Sequence, residues 1–445
     1  MQTSTNLGRV VRPGDDAWDA ARGTFNLLID QSPEAIAFPA DDREVAAVIA
    51  YAREHGLRVA PQATGHNPGP LGSLAGTLIL NTSALTGVSI DAGARRVRVG
   101  AAAKWEDVTP QLSELGLAAL HGSSPDVGIV GYSLGGGIGW LARKHGMQCN
   151  AVTAIELVTA DGRLVRTDAN NEPELFWALR GGGGNFGIVT AIEFSVFPAR
   201  ELYAGAMFFP LERTSDVLRT WSGLLPALPE ELTTWATILH FPPLPELPDA
   251  VRGQSFVIVM VALLGTEAEG RELLRPLHRL GPAMDTLAMQ PPIGLADLAM
   301  DPVNPLPYLS TTALIDELSP SAIEDLTRIA GVGSTVTMVQ LRHIGGALAR
   351  HQPGAGARAT LPGNIVMFSL SVVPDLSAAP AVEADLDAIA AAVAPNRVGN
   401  YPNFVEQPTD ASLFFNTETW NRLRRVKSEY DPQDVFRGNH HVPAS

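Results

Sequence analysis

Residues 122–139 read GSSPDVGIVGYSLGGGIG, and what this run holds decides the fold. Glycine recurs there because backbone has to pass close to something, whether a strand or a ligand. A phosphate loop would end in Gly-Lys-Ser/Thr, and this run has no lysine. A dinucleotide fingerprint would follow the first strand of a βαβ unit and carry an acidic residue about 20 positions on. The glycines here are instead spread over three segments, which argues against a nicotinamide dehydrogenase. The other two are residues 60–70, APQATGHNPGP, and residues 181–187, GGGGNFG. Any one loop is explained by a tight turn. Three together suit a long ligand laid through a cleft, with backbone N–H groups able to bind a pyrophosphate without lysine.

The chain has 445 residues, which suggests two or three domains. Its 47 acidic and 32 basic residues give a net charge of −15, a field that repels nucleic acid. The first residues have no apolar signal-peptide core. No apolar run reaches membrane-spanning length, so the sequence reads as cytoplasmic with no membrane partner. The single cysteine, Cys149, excludes an internal disulfide and a cysteine metal cluster. Ten scattered histidines suggest no metal site.

The first half alternates strands and helices. Asp41 and Glu44 offer a capping box before Val45, Val48, Ile49 and Ala52 at helical spacing. Short strands are expected in GLRVA, TLILN and RRVRVG, and a helix through WEDVTPQLSELG that stops at Gly116. Asp161-Gly162 predicts a hairpin. After residue 204 proline-rich loops separate long β-rich runs such as SFVIVMVALLG, STVTMVQLRHIGG and NIVMFSLSVVP, with helices between them. The expected class is α+β, divided as 1–204, 205–395 and a returning segment 396–445.

TGHNPG, HGSSPDVGIVGYSLGGGIGWLARKHG, ELFWALRGGGGNFGIVTAIEF and RLRRVKSEYDPQDVFRGN together resemble the FAD-linked oxidases of the vanillyl-alcohol-oxidase fold, with a PCMH-type FAD-binding domain. The resemblance is to the group like berberine bridge enzyme and 6-hydroxy-D-nicotine oxidase. It covers 9–200 and 396–445 in order and spacing, and 205–395 in length and strand pattern. It implies a two-part FAD domain and a substrate domain whose antiparallel sheet, covered by helices, lies over the flavin ring. It also implies that His66 is joined to the flavin 8-methyl carbon, with Gln62, Ala63, Thr64, Gly65 and Asn67 around it. Ser124, Val127, Gly128, Tyr132, Gly135, Gly136 and Gly139 would follow the cofactor in the second loop, Ile188 and Val189 after the third, and Asn403 and Asn439 near the end. Ser124 stands where many relatives have a second tethering cysteine, so one covalent link is expected. Gln62 replaces a common arginine, leaving cofactor affinity to backbone donors and the tether. Ile129 would narrow the approach of dioxygen.

The implied reaction takes hydride from a C–OH or C–N carbon of a small or medium secondary metabolite, with dioxygen as acceptor, in a monomer or homodimer. Only 6% of the chain is aromatic, which argues mildly against sugar oligomers. Tyr401 is the candidate base, provided its pKa is lowered. Alternation in VTMVQLRHIGG puts Gln340 and Arg342 on one face, where they would bind polar substrate groups, and His343 on the other, a base if the register is opposite. His440 and His441 read as surface residues. The alternative is a flavin-bearing protein that binds a metabolite or cyclises it without net oxidation.

Overall fold

A computed structural model describes residues 7–445 and places them in three large sheets and a two-stranded one, Leu117–Ala118 with Phe197–Pro198. The first has the order Arg9–Val11, Ala35–Phe38, Thr77–Asn81, Arg58–Gln62, with the last three strands parallel. Helix Asp42–Glu54 crosses between two of them and buries Val45, Val48, Ile49 and Ala52, the expected face. Asp41 caps it by accepting from the Arg43 and Glu44 amides, while the Glu44 carboxylate takes the Ala40 N–H. Strand Arg58–Gln62 then delivers the chain to His66.

The second sheet is antiparallel, in the order Val88–Asp91, Arg96–Gly100, Ile188–Ser195, Val152–Val158, Leu164–Asp168. The hairpin turns at Gly162, whose φ of +84° suits glycine. One expected helix is broken: Trp105–Asp107 is a 3₁₀ turn and the α-helix is Thr109–Glu114. Pro110, with no N–H to give, starts a new helix better than it continues an old one.

The third sheet has nine antiparallel strands, from Leu202–Pro210 to Arg397–Gly399. Its two faces have different partners. Met207 and Phe209 join a core with the helices Thr214–Leu224 and Pro320–Ile329, whereas Ala206 and Phe208 pack with Trp140, Leu141 and Trp235 on the other side. Period-two alternation therefore buries one face under helices and turns the other toward the glycine loops. The last segment returns to the first sheet: Val59 donates to Val435 O and receives the Arg437 N–H. The class is α+β, as expected. No helix among the described residues is long and apolar enough to cross a membrane.

Candidate functional site

Between the glycine loops and the second face of the large sheet lies a cavity of about 1040 Å³. That is the upper end of the range for small-molecule pockets. All three glycine segments reach its wall, through Gly65, Gly128 and Gly135, and Gly181–Gly184. Two glycines show what the loops are for. A Cβ on Gly135 would meet Asn403 Oδ1 at 1.8 Å, and one on Gly139 would meet the His121 carbonyl at 1.7 Å. The second loop is thus pressed against both the returning segment and its own entry.

His66 stacks on Phe25, centroids 4.2 Å apart, and its Nε2 lies 3.0 Å from Asp126 Oδ2. Burial alone would raise the Asp126 carboxyl, but the hydrogen bond and charge of His66, with help from Lys104, hold it below the usual range. Gln62, Ala63, Thr64 and Asn67 line the same wall. Asn439 donates to Asn67 O, and Asn67 Oδ1 is buried without a partner. Ser124 Oγ donates to Asp301 Oδ2 at 2.6 Å, tying the second loop to the segment that precedes strand Tyr308–Ile315. Val127, Gly128, Tyr132, Gly135 and Val189 also face the cavity. Tyr132 Oη donates to Leu120 O, and Asn403 Nδ2 donates to Tyr132 O.

The structure places several of the expected residues off this cavity, and one on it that was expected at the surface. Gly136, Gly139 and Ile188 do not line this cavity; Ile188 is 0% exposed in the core of the first half, and the two glycines shape the loop from behind. Ile129 likewise points into that core, and Val130 stands at the wall instead. Gln340 is 0% exposed and stays behind Arg342, which reaches the cavity. His343 lies off the cavity, its pKa lowered to about 3 by burial and by Arg143, so it is neutral and not placed as a base. His440 is no surface residue: it lines the cavity, meets Phe414 edge-on at 4.7 Å and bonds Pro402 O at 2.9 Å. His441 turns the other way, 3.3 Å from Asp434, and is half-buried.

Tyr401 faces the cavity at 1% exposure, and its Oη accepts the Gly137 N–H at 2.8 Å. Burial raises its pKa; that hydrogen bond, Arg358 and Arg342 oppose the rise without overcoming it. The phenol is neutral, and the condition for a resting base is not met.

Sequence reasoning missed two residues here. Arg358 lines the cavity, donates to Gly135 O at 3.2 Å and to Phe414 O at 3.4 Å, and leaves Nη2 buried and unpartnered. It brings a cation to the wall from the segment that precedes strand Ile365–Val372. Glu406 receives hydrogen bonds from Tyr308 Oη at 2.8 Å and Ser310 Oγ at 2.7 Å at the cavity wall. Burial pushes its carboxyl up to about 7, against those two donors and His66. Its signal was present in NYPNFVEQ, but its donors lie about a hundred positions away in the chain.

A carboxyl raised on folding binds its proton more tightly in the native state. Its contribution is complete below the unfolded value and is lost as pH rises through about 7. Glu406→Gln should therefore gain stability relative to the parent between about pH 5 and pH 8, by up to about 3 kcal/mol. Melting temperatures of both proteins across that range test this; a constant difference would show that Glu406 is ionised throughout.

Comparison with known proteins agrees with the geometry. Residues 33–168 match an FAD binding domain, and residues 400–443 match the family described as berberine and berberine like. The (R)-6-hydroxynicotine oxidase of Paenarthrobacter nicotinovorans is 26% identical over 98% of this chain and 96% of its own. A xylooligosaccharide oxidase of Thermothelomyces thermophilus is 33% identical over 46% of this chain and 42% of its own. Among solved structures, 6-hydroxy-D-nicotine oxidase from Arthrobacter nicotinovorans superposes with a TM-score of 0.86 at 23% identity, covering 99% of both chains. Berberine bridge enzyme from Eschscholzia californica gives 0.84 at 16%, covering 99% of this chain and 98% of that one. At these identities the two structures establish the fold.

Proposed function

We propose, from the premise that this chain belongs to the FAD-linked oxidoreductases with a berberine-like C-terminal segment, that it is an oxidase carrying its flavin on His66. Its substrate would be a small or medium metabolite oxidised at a C–OH or C–N carbon, and dioxygen its acceptor. The observation that carries the reading is the single cavity that joins the His66 loop, the glycine loops and the apolar face of the large sheet.

The wall suits FAD. Loops without side chains leave room for a planar ring, and Arg358 Nη2 and Asn67 Oδ1 await polar partners. When bound, FAD supplies a hydride acceptor and passes the electrons on. The protein groups do the rest. Asp126, held as a carboxylate, pairs with His66 Nε2 and fixes the ring, leaving Nδ1 as the ring nitrogen available for the tether. Tyr401 keeps its proton and, with its oxygen already accepting from Gly137, donates to a substrate heteroatom and orients it. Phe208, Leu239, Phe241 and Phe368 give the sheet side an apolar surface that excludes water.

Anaerobic mixing of the yellow protein with a panel of alcohols and amines tests the reading. One class should bleach the flavin, and air should restore the colour with one hydrogen peroxide per turnover. Bleaching that air does not reverse would mark a dehydrogenase. A colourless protein that takes up no FAD would sink the assignment altogether.

A further inference from the structure

Arg342 is the least expected charge in the molecule. Strand Met338–His343 sends Val339 and Leu341 into the helix-covered core and Arg342 to the other face, where it borders the cavity. The guanidinium is fixed on every side but one. It lies over the Trp235 ring at 4.0 Å and the Phe404 ring at 4.7 Å. Nε donates to Gln340 Oε1 at 2.5 Å, and Nη2 donates to Ser123 Oγ at 3.2 Å. Gln340, fully buried, has no visible task other than holding this fork.

Among the described residues no carboxylate is hydrogen-bonded to Arg342. Asp301 is the acid whose charge reaches it, and that carboxylate is engaged by Ser124. Tyr132 and Tyr401, the other titratable groups that act on it, are both neutral phenols. Burial lowers Arg342 to about 10, so it remains a cation at neutral pH. Nη1 has no partner within the described chain. Around it the cavity presents Phe404, with Phe368 packed behind, and the neutral phenols Tyr132 and Tyr401. A buried cation is retained where something compensates it, and a guanidinium held flat by aromatic rings offers the geometry that binds a carboxylate.

We propose that the substrate is a carboxylate-bearing, otherwise largely apolar molecule whose carboxylate seats on Arg342 at the cavity wall. This rests on the oxidase reading above and narrows it. A neutral hydroxyl or a sugar would leave the buried cation without a counter-charge in contact with it. A substrate amine would be repelled unless it also carried the acid. Arg342 and Gln340 act as one unit, the first binding and the second positioning.

The test titrates the flavin-loaded protein with phenylacetate, 4-phenylbutyrate and octanoate, and with the amide of each, following perturbation of the flavin absorbance. At least one acid should bind tenfold or more tightly than its amide. Arg342→Met should erase that ratio while retaining its flavin, and Arg342→Lys should keep part of it, since the charge survives without the fork. Gln340→Leu should weaken the acids and leave the amides unchanged. The proposal is overturned if amides bind as well as acids, if no compound of the panel binds, or if Arg342→Met arrives without flavin, which would assign the cation to the cofactor. The parent protein's ratio decides the matter even if a variant fails to fold. A parent that carries no flavin would instead remove the oxidase reading beneath it.

Discussion

His66→Ala should abolish covalent flavin completely, moving the yellow colour from the acid-precipitated pellet to the supernatant. The expectation is all-or-none because neither Ser124 nor Cys149 offers a second tether. Ser124 Oγ, at the edge of the second loop, is committed to Asp301. Cys149 is fully buried in the turn Gln148–Ala151, off the cavity, and burial pushes its thiol up to about 12, so the nucleophilic thiolate is absent at neutral pH. The remaining cavity contacts do not involve His66, so the variant should still take up dissociable FAD. Colour that stays with the His66→Ala pellet would prove a different tether. A variant unable to bind FAD at all would show that the bond, and not the wall, holds the cofactor.

What the sequence could announce were local events, and those are where the reading agrees with the structure. Strand Arg58–Gln62, the Asp41 cap, the hairpin at Gly162 and the period-two faces of strand Met338–His343 each depend on a few neighbouring residues. The strand order of the large sheet does not. Strands Met338–His343 and Leu232–His240 pair although about a hundred residues separate them, and nothing in either run specifies the other.

Charge state was equally hidden, because it follows burial. Tyr401 could be read as a base from its place in a motif, yet the desolvation that keeps it neutral comes from elements distant in the chain. Glu406 lies five residues further on and was passed over for the same reason. Proximity to the terminus misled the reading of His440, since the end of the chain threads back under Pro402 and Phe414. Alternation placed Gln340 and Arg342 together correctly but could not tell which is long enough to reach the cavity. Arg358 sits in a loop with no motif, and only the fold brings it to Gly135.

Lys427→Met should cost the protein about 3–5 kcal/mol, the penalty of leaving one member of a buried ion pair alone. Lys427 is 0% exposed on helix Thr417–Tyr430, and Asp431, one turn on, is 0% exposed as well. Nζ donates to Asp431 Oδ2 at 2.6 Å, to Asn185 O at 2.9 Å and to Phe436 O at 3.1 Å. The Asp431 oxygens in turn accept the Val435 and Phe436 amides, both at 2.8 Å. Methionine fills similar space but strands the Asp431 carboxylate and two carbonyls, and removes the 3.2 Å ion pair to Asp434 as well.

The consequence reaches the site by a short route. Val435 and Arg437 pair with Val59, in the strand that runs into the His66 loop, and Asn439 holds Asn67 beside it. Loosening the turn at 431–436 should therefore slow flavin attachment as well as lower the urea midpoint. Removing the stranded charge distinguishes this from simple misfit: Lys427→Met with Asp431→Asn should be less destabilised than Lys427→Met alone. If the single variant loses less than about 1 kcal/mol, or the second change makes matters worse by its full separate cost, the network is not what locks the returning segment to the first sheet.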